Sequence, residues 1–463
     1  MIPRRNSGID GLHGVFPPTP RLPAEHFIPP EFSPGFPQSN KRKPLPLIAL
    51  FILVINLFLL ACLTAPAGKT PAASTPIRPT ATTGGIPTGS PVAPWSALRG
   101  GSKLDQGWGV DTDSAGNIYF ATFQQAEKEP FADMVVYKFA PDGTERWRTR
   151  WGGKYMEKAF IVTVAGSFAY VGGLTYTSAF DLTAADMAVL ALDTNDGSVV
   201  WEFTWGQGFG YEEVDGLVAD GDSLYLSGWT TGKTTGNDVA VLKLDLHGNL
   251  IWAKSWGSPG WDEGDGQMVV DEDTLYVAGR YNGINAILGG EGFLARFSKE
   301  TGEYLSHTAW GGPLGTDALG MTGDGTCLYT VGLTVDRGNG GQIFLRKWDK
   351  DLNLIWEQLW GGKGSEDARA AAIGPAGDIY VAGATDSYGS GGGMDIVLLR
   401  FDPDGKLVWA RTLGGPQNDA AHGIALFADR VYIAGNTRSA GSGQDDALLI
   451  FADAGEGLFP LFP

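Results

Sequence analysis

The stretch Trp147-Arg148-Thr149-Arg150-Trp151-Gly152-Gly153 sets two tryptophans four residues apart ahead of a glycine pair. On a strand, residues i and i+4 face the same way, so both indoles lie on one face. The glycines then let the backbone leave the strand sharply. The element recurs. Related sites start at Trp95 (WSALRGG), Trp201 (WEFTWGQ), Trp252 (WAKSWGS), Ser306 (SHTAWGG), Trp356 (WEQLWGG) and Trp409 (WARTLGG). With Trp147 in its place, the successive starts lie 52, 54, 51, 54, 50 and 53 residues apart. Self-similarity at a fixed period near fifty marks a propeller or a solenoid.

Every period repeats the same four apolar runs. After the glycines comes an acid and a weakly apolar run, then a second run such as TLYVAG or DIYVAG. A Gly/Ser/Thr-rich loop leads to a third run, such as DMAVLALD or DVAVLKLD, and a DG, HG or TG turn leads into the tryptophan strand. Four short strands per period, separated by turn signals, predict an all-β propeller blade. Each indole pair can bury roughly 150–250 Å² per ring against a neighbouring blade. Residues 95–463 hold seven periods, so seven blades are expected, with six or eight as alternatives. The extra tryptophan strand at Trp95–Arg99 is placed to complete the last blade and close the ring.

These units resemble the bacterial seven-bladed β-propeller repeat family, in which a W-x-x-x-aromatic-G-G element is followed by an acid, a Y-V-A/T-G-x-T strand and a D-x-x-x-x-K strand. Trp356, Trp360, Gly361, Gly362, Glu366, Tyr380, Gly383, Thr385, Asp395 and Arg400 fit with little change. Unit five departs, with Ser306 for the first tryptophan and Gln342 for the strand-leading acid. The resemblance implies an exported or surface-tethered protein, usually without an assigned chemistry. The run Leu192–Trp201 also resembles the tryptophan-docking repeat of pyrroloquinoline-quinone dehydrogenases, but with a different glycine pattern and no recognisable cofactor site. WD repeats need a recurrent Trp-Asp that these units do not share.

The formal charge of −18 is uneven: residues 1–94 carry a net +5, leaving −23 on 95–463. So acidic a body repels nucleic acid, whose binding needs a basic footprint. Two cysteines rule out a disulfide framework. Eighteen of the 27 prolines precede Trp95, a density that predicts an extended, disordered segment. It divides into an extension, 1–44, an apolar segment, 45–63, and a Thr/Pro/Ala/Gly-rich linker, 64–94. Lys41, Arg42 and Lys43 precede the apolar segment, the polarity of a chain whose following part is exported. Leu59-Leu60-Ala61-Cys62 resembles the bacterial lipobox, which implies cleavage before Cys62 and acylation of its thiol. An uncleaved membrane anchor is the alternative. Either way, the linker reads as a tether holding a propeller off a membrane, on its extracytoplasmic side.

Chemical signatures are sparse. His247, His307 and His422 occupy different positions in their units and imply no shared metal site. Asp111–Asn117 (DTDSAGN) begins like a calcium loop, but Ala115 and Thr122 stand where later ligands belong, so it reads as a polar turn. No nucleophile–base or zinc motif occurs. The acids after the glycines are Asp105, Glu157, Glu213, Asp262, Asp317, Glu366 and Asp419. They are expected to accept N–H bonds from the crossing loops. Alternatively they converge on the channel mouth as a negative funnel for Ca²⁺ or cationic ligands. The expected function is a monomeric, surface-anchored binding or scaffold module for an unidentified protein or glycan, without catalytic residues, cofactor or resident metal. A propeller enzyme, a pyrroloquinoline-quinone-like oxidoreductase or a hydrolase, is the alternative.

Overall fold

A computed structural model of the chain describes residues 94–460, apart from 127–128, 130, 179–180, 182, 207–209, 232–235, 285–288, 312–313, 336–339, 390–391 and 458. The extension 1–44, the segment 45–63 with Cys62 and the linker up to residue 93 lie outside the described residues. The tryptophan period marks off seven antiparallel sheets. Six blades span 105–151, 157–205, 212–256, 261–310, 316–360 and 366–413. Blade seven takes three strands from 419–453, and its outer strand is Ser96–Arg99 from the start of the ring. Ser96 pairs with Ile450 and Arg99 with Ala447, antiparallel. Each inner strand lies against those of both neighbours, and the inner strands of blades one and seven touch, so the ring is closed. The all-β seven-bladed propeller expected from the repeat is the observed fold.

Burial rises toward the axis. The outer strand Glu145–Trp151 alternates exposed and half-buried positions, whereas the second strand Ile379–Thr385 is buried throughout. Middle strands are covered on both faces by neighbouring blades, so they read as continuous apolar runs. The core is therefore a set of inter-blade layers: Tyr119, Met134 and Val136 of blade one pack with Val162, Val171 and Leu190 of blade two.

The first tryptophan of each unit does more than stack. Trp147 reaches the third turn of the next blade, where its Nε1–H donates to Thr194 O (3.1 Å); Trp201, Trp252 and Trp409 do the same to Leu246 O, Glu300 O and Gly455 O (3.0, 2.9 and 3.0 Å). Under the indole lies a left-handed turn glycine. A Cβ on Gly143, Gly197, Gly248, Gly302, Gly405 or Gly457 would sit 2.6–3.1 Å from a ring carbon of Trp95, Trp147, Trp201, Trp252, Trp356 or Trp409, respectively. Positive φ and the indole together require glycine there.

The glycine of the Y-V-A-G run has another cause. Six inner strands carry a β-bulge and that of blade four breaks at the same place, and the carbonyl of the preceding residue presses on the second strand. A Cβ on Gly173, Gly228, Gly279, Gly332, Gly383 or Gly435 would fall 1.8–2.2 Å from the oxygen of Lys158, Glu213, Glu263, Asp317, Asp367 or Ala420. The repeated motif thus records a repeated bulge, and that bulge builds the site.

Candidate functional site

The inner strands begin DQGWG, EKAFI, EEVDG, DEGDG, TDALG, EDARA and DAAHG. The first residue of each is buried: Asp105, Glu157, Glu212, Asp262, Thr316, Glu366 and Asp419. These side chains hold the crossing loops. Gly101 and Gln125 N–H donate to Asp105 (2.7 and 2.8 Å), Ser258 and Asn282 N–H to Asp262 (2.5 and 2.7 Å). Glu157, Glu366 and Asp419 accept from Gly153, Gly362 and Gly415 N–H (3.2, 3.0 and 2.9 Å). Five of the seven acids singled out from the sequence, Asp105, Glu157, Asp262, Glu366 and Asp419, therefore share one bracing arrangement. Glu213 and Asp317 do not belong with them. In blade three the bracing place is taken by Glu212, which accepts from Thr230 Oγ1 (2.9 Å), because the crossing loop is one residue longer there; in blade five it is taken by Thr316. Strand alternation then turns Glu213 and Asp317 toward the channel.

Two positions per inner strand face the channel, the second and the fourth residue of each run. The fourth lies in the bulge, where the register shifts between Gly107 and Gly109, Ala159 and Ile161, Val214 and Gly216, Asp317 and Gly320, Ala368 and Ala370, and Ala421 and Gly423. In blade four the strand breaks instead, between Glu263 and Val269. A bulge re-aims its side chain, and the fourth residues are Trp108, Phe160, Asp215, Asp265, Leu319, Arg369 and His422. Every one of them lines a central cavity of about 290 Å³, together with Glu213, Arg280 and Asp317.

The cavity is polarised. Trp108 and Phe160 form an aromatic wall (ring centroids 5.1 Å apart, edge to face), and His422 stacks on Trp108 at 4.1 Å. The Arg369 guanidinium lies 5.8 Å from the Trp108 ring centroid and 3.4 Å from Asp367. Blades three to five supply the carboxylates. Arg280 is paired with Glu263 and lies 3.6 Å from Asp317. Burial lifts Glu213 to about 7, against hydrogen bonds from Tyr211 and Trp229 (both 2.9 Å). Asp215 and Asp265 are held well above the usual carboxylate range by burial, and neighbouring carboxylates push them further. Burial and the Arg369 charge drive His422 down to about 3, so its ring is neutral. Among the described residues no group of three or more His, Cys, Asp or Glu could hold a metal ion.

The remaining candidates lie elsewhere. His247 is on an exposed turn, and His307 sits in an outer aromatic cluster with its Nδ1 2.7 Å from Tyr304 OH. Asp113, in the stretch that begins like a calcium loop, accepts from Ala115 and Asn117 N–H (both 2.9 Å) and from Asn117 Nδ2 (2.8 Å), which closes the turn on itself. Sequence reasoning missed Trp108, Phe160, Asp215, Asp265, Arg280 and Arg369, and weighed His422 only as a metal ligand. Most were visible in the aligned inner strands, where one column runs Trp, Phe, Asp, Asp, Leu, Arg, His while its flanks repeat.

Residues 235–458 match the model of a family described as outer membrane protein assembly factor BamB. No curated protein matches the chain. Similar solved structures include the WD40 β-propeller domain of Doa1 (10% identity over 77% of this chain and 97% of that one, TM-score 0.47). The Pseudomonas aeruginosa periplasmic gluconolactonase is similar at 14% identity, over 67% of this chain and 86% of that one, with a TM-score of 0.45. A Mycobacterium tuberculosis puromycin-hydrolyzing peptidase is similar at 14% identity, over 76% of this chain and 52% of that one, with a TM-score of 0.49. The later blades are thus similar to that family model, and the chain as a whole is a seven-bladed β-propeller built on one recurring tryptophan–glycine unit.

Proposed function

We propose that the protein is an exported, membrane-tethered binding module of the bacterial cell surface, with the central cavity as its ligand seat. One observation carries the reading. Around a ring that repeats its scaffold seven times, unlike groups gather at the bulge positions that face the channel. Unlike groups on a repeated scaffold are what recognition of an asymmetric ligand requires. The tether supports the location: a basic cluster, an apolar run ending in Leu59-Leu60-Ala61-Cys62 and a long Pro/Thr linker precede the ring. The family description, an outer membrane protein assembly factor, supports an envelope role as well.

The test is a thermal-shift screen of the full-length protein with small polar metabolites, run in parallel on Trp108→Ala. Ligands that raise the wild-type Tm by mass action and lose the effect in the variant support the reading. If every stabilising ligand acts equally on both proteins, the cavity is not the seat. A second reading, a hydrolase, rests on a single feature: buried carboxylates that stay protonated near neutral pH can serve as general acids. Turnover of an ester, lactone or glycoside panel that disappears in Asp215→Asn would favour it over simple binding.

A further inference from the structure

We infer that the central cavity takes a small organic cation, a protonated amine with several N–H donors, and that Asp215 is its primary anchor. This rests on the cavity being the ligand seat, and it adds the chemical class.

The argument is one of unmet partners. Asp215 Oδ2 and His422 Nδ1 are buried in the cavity wall and accept no hydrogen bond from any of the described residues. His422 Nε2 lies 2.5 Å from Asn436 Oδ1. With that oxygen as acceptor and the ring neutral, the proton sits on Nε2 and Nδ1 presents a lone pair. Both atoms therefore ask for donors. The fixed cations do not supply them. Arg280 is engaged by Glu263 and Asp317, Arg369 faces Asp367 and the Trp108 ring while its buried Nε lacks an acceptor among the described residues, and the Lys158 ammonium lies over the Phe123 and Tyr176 rings at 5.6 and 5.9 Å. Among the described residues neither Asp215 nor Asp265 forms a salt bridge. An isolated buried carboxylate neutralises itself by holding a proton, which accounts for the raised pKa of both.

A metal ion would answer the charge but not the geometry, since no metal-holding group exists among the described residues. Nor would it use the space. A cavity of about 290 Å³ has room for roughly ten waters at about 30 Å³ each, which suits an organic molecule of similar heavy-atom count. The wall of Trp108 and Phe160 gives such a molecule an apolar and cation-attracting surface opposite the carboxylates. On binding, the ammonium replaces the proton: the acid form of Asp215 or Asp265 releases H⁺ to solvent, and the resulting carboxylate pairs with the bound cation.

The experiment is calorimetry on the full-length protein in detergent at pH 7. The probes are butylammonium and 1,4-diaminobutane, compared with 1-butanol, butyrate and Ca²⁺. Both amines should saturate in the millimolar range or tighter, with butanol and butyrate at least about tenfold weaker, as loss of one charge contact implies. The binding heat should differ between phosphate and Tris buffers because a proton leaves. Asp215→Asn and, as a second variant in case the first misfolds, Asp265→Asn should each weaken the amines about tenfold or more. The wild-type series alone decides the class. Butyrate or Ca²⁺ binding more tightly than either amine overturns the cation and leaves the ligand seat standing. So does amine binding of equal strength in a folded Asp215→Asn. No saturable amine binding up to about 50 mM also overturns it. The seat itself falls only if, in addition, the metabolite screen yields nothing sensitive to Trp108→Ala.

Discussion

The junction between blades four and five lacks the indole that braces the other six, and it also lacks the turn glycine. Ser306 stands where the tryptophan would be, and Leu352 adopts φ 67° where the other turns have glycine. Leu352 is 6% exposed and joins the core layer of Tyr276 and Leu294 from the preceding blade, filling the place of the absent ring. Arg296 takes over the polar contact, donating to Lys350 O (3.1 Å) and to Ser306 Oγ (3.1 Å). The two departures should therefore be one compensated change. Ser306→Trp alone drives an indole into Leu352 and should destabilise by about 1–3 kcal/mol, the usual range for overpacking. Leu352→Gly alone removes a buried side chain, worth about 3 kcal/mol. It relieves left-handed strain of about 1–2 kcal/mol, but gives back up to about 1 kcal/mol in chain entropy. The net loss is about 2 kcal/mol. The double variant rebuilds the junction used elsewhere and should lie within about 1 kcal/mol of the parent, a coupling of about 3 kcal/mol, near the top of the range for contacting residues. Urea unfolding of the four proteins, followed by tryptophan fluorescence, measures it. Losses that simply add in the double variant would refute the reasoning, because then serine and leucine do not compensate one another.

Three other expectations follow from the ring, its buried acids and its leader. Deleting 95–99 should lower Tm far more than an equal deletion within 64–90, since only the first removes a strand paired with Asp446–Asp453; equal effects would contradict closure by that strand. Burial lifts Glu157 and Glu213 to about 7 and Asp111 to about 6, so between about pH 4 and 7 the folded ring holds protons that the unfolded chain has released. Stability should then fall as pH rises through that window, and Tm should be higher at pH 5 than at pH 8. His422, driven down to about 3, opposes this below its ordinary value but offsets only one proton; a flat or reversed profile would show that the carboxylates are not held protonated. Finally, the full chain expressed in a bacterial host should fractionate with membranes, and Cys62→Ser should block its maturation. Unchanged size and release of the wild type would remove the lipoprotein reading.

How much of this was legible depends on whether a residue acts within its unit or across units. The blade count, the strand order and the closing strand were readable because each tryptophan, turn glycine and DG turn serves the same junction in every copy, so repetition itself was the signal. The bracing acids were readable for the same reason in five blades. They were misplaced in two, where a loop one residue longer brings Glu212 into place and where Thr316 substitutes for an acid. Looking for an acid after the glycines passes over a threonine that holds the bracing place and cannot choose between two adjacent acids, Glu212 and Glu213. Strand alternation identifies that place, because the bracing residue shares a face with, and so lies two positions before, the next buried residue: Glu212 before Val214 and Thr316 before Ala318.

The cavity obeys the opposite rule. A ligand seat at the axis of a seven-fold scaffold is built from whatever the scaffold leaves unspecified, so its members cannot be found by looking for a conserved motif within the repeat. Trp108, Asp215, Arg369 and His422 have nothing in common as residue types. They share only a place, the inner strand's channel-facing fourth position, and in six blades a glycine on the neighbouring second strand marks that place through the carbonyl pressed against it. The motif that looks most structural thus locates the channel-facing column. Where the flanking residues are held constant by packing and the bulged residue changes from indole to carboxylate to guanidinium around the ring, packing has stopped deciding the residue. The chemistry facing the channel then decides it.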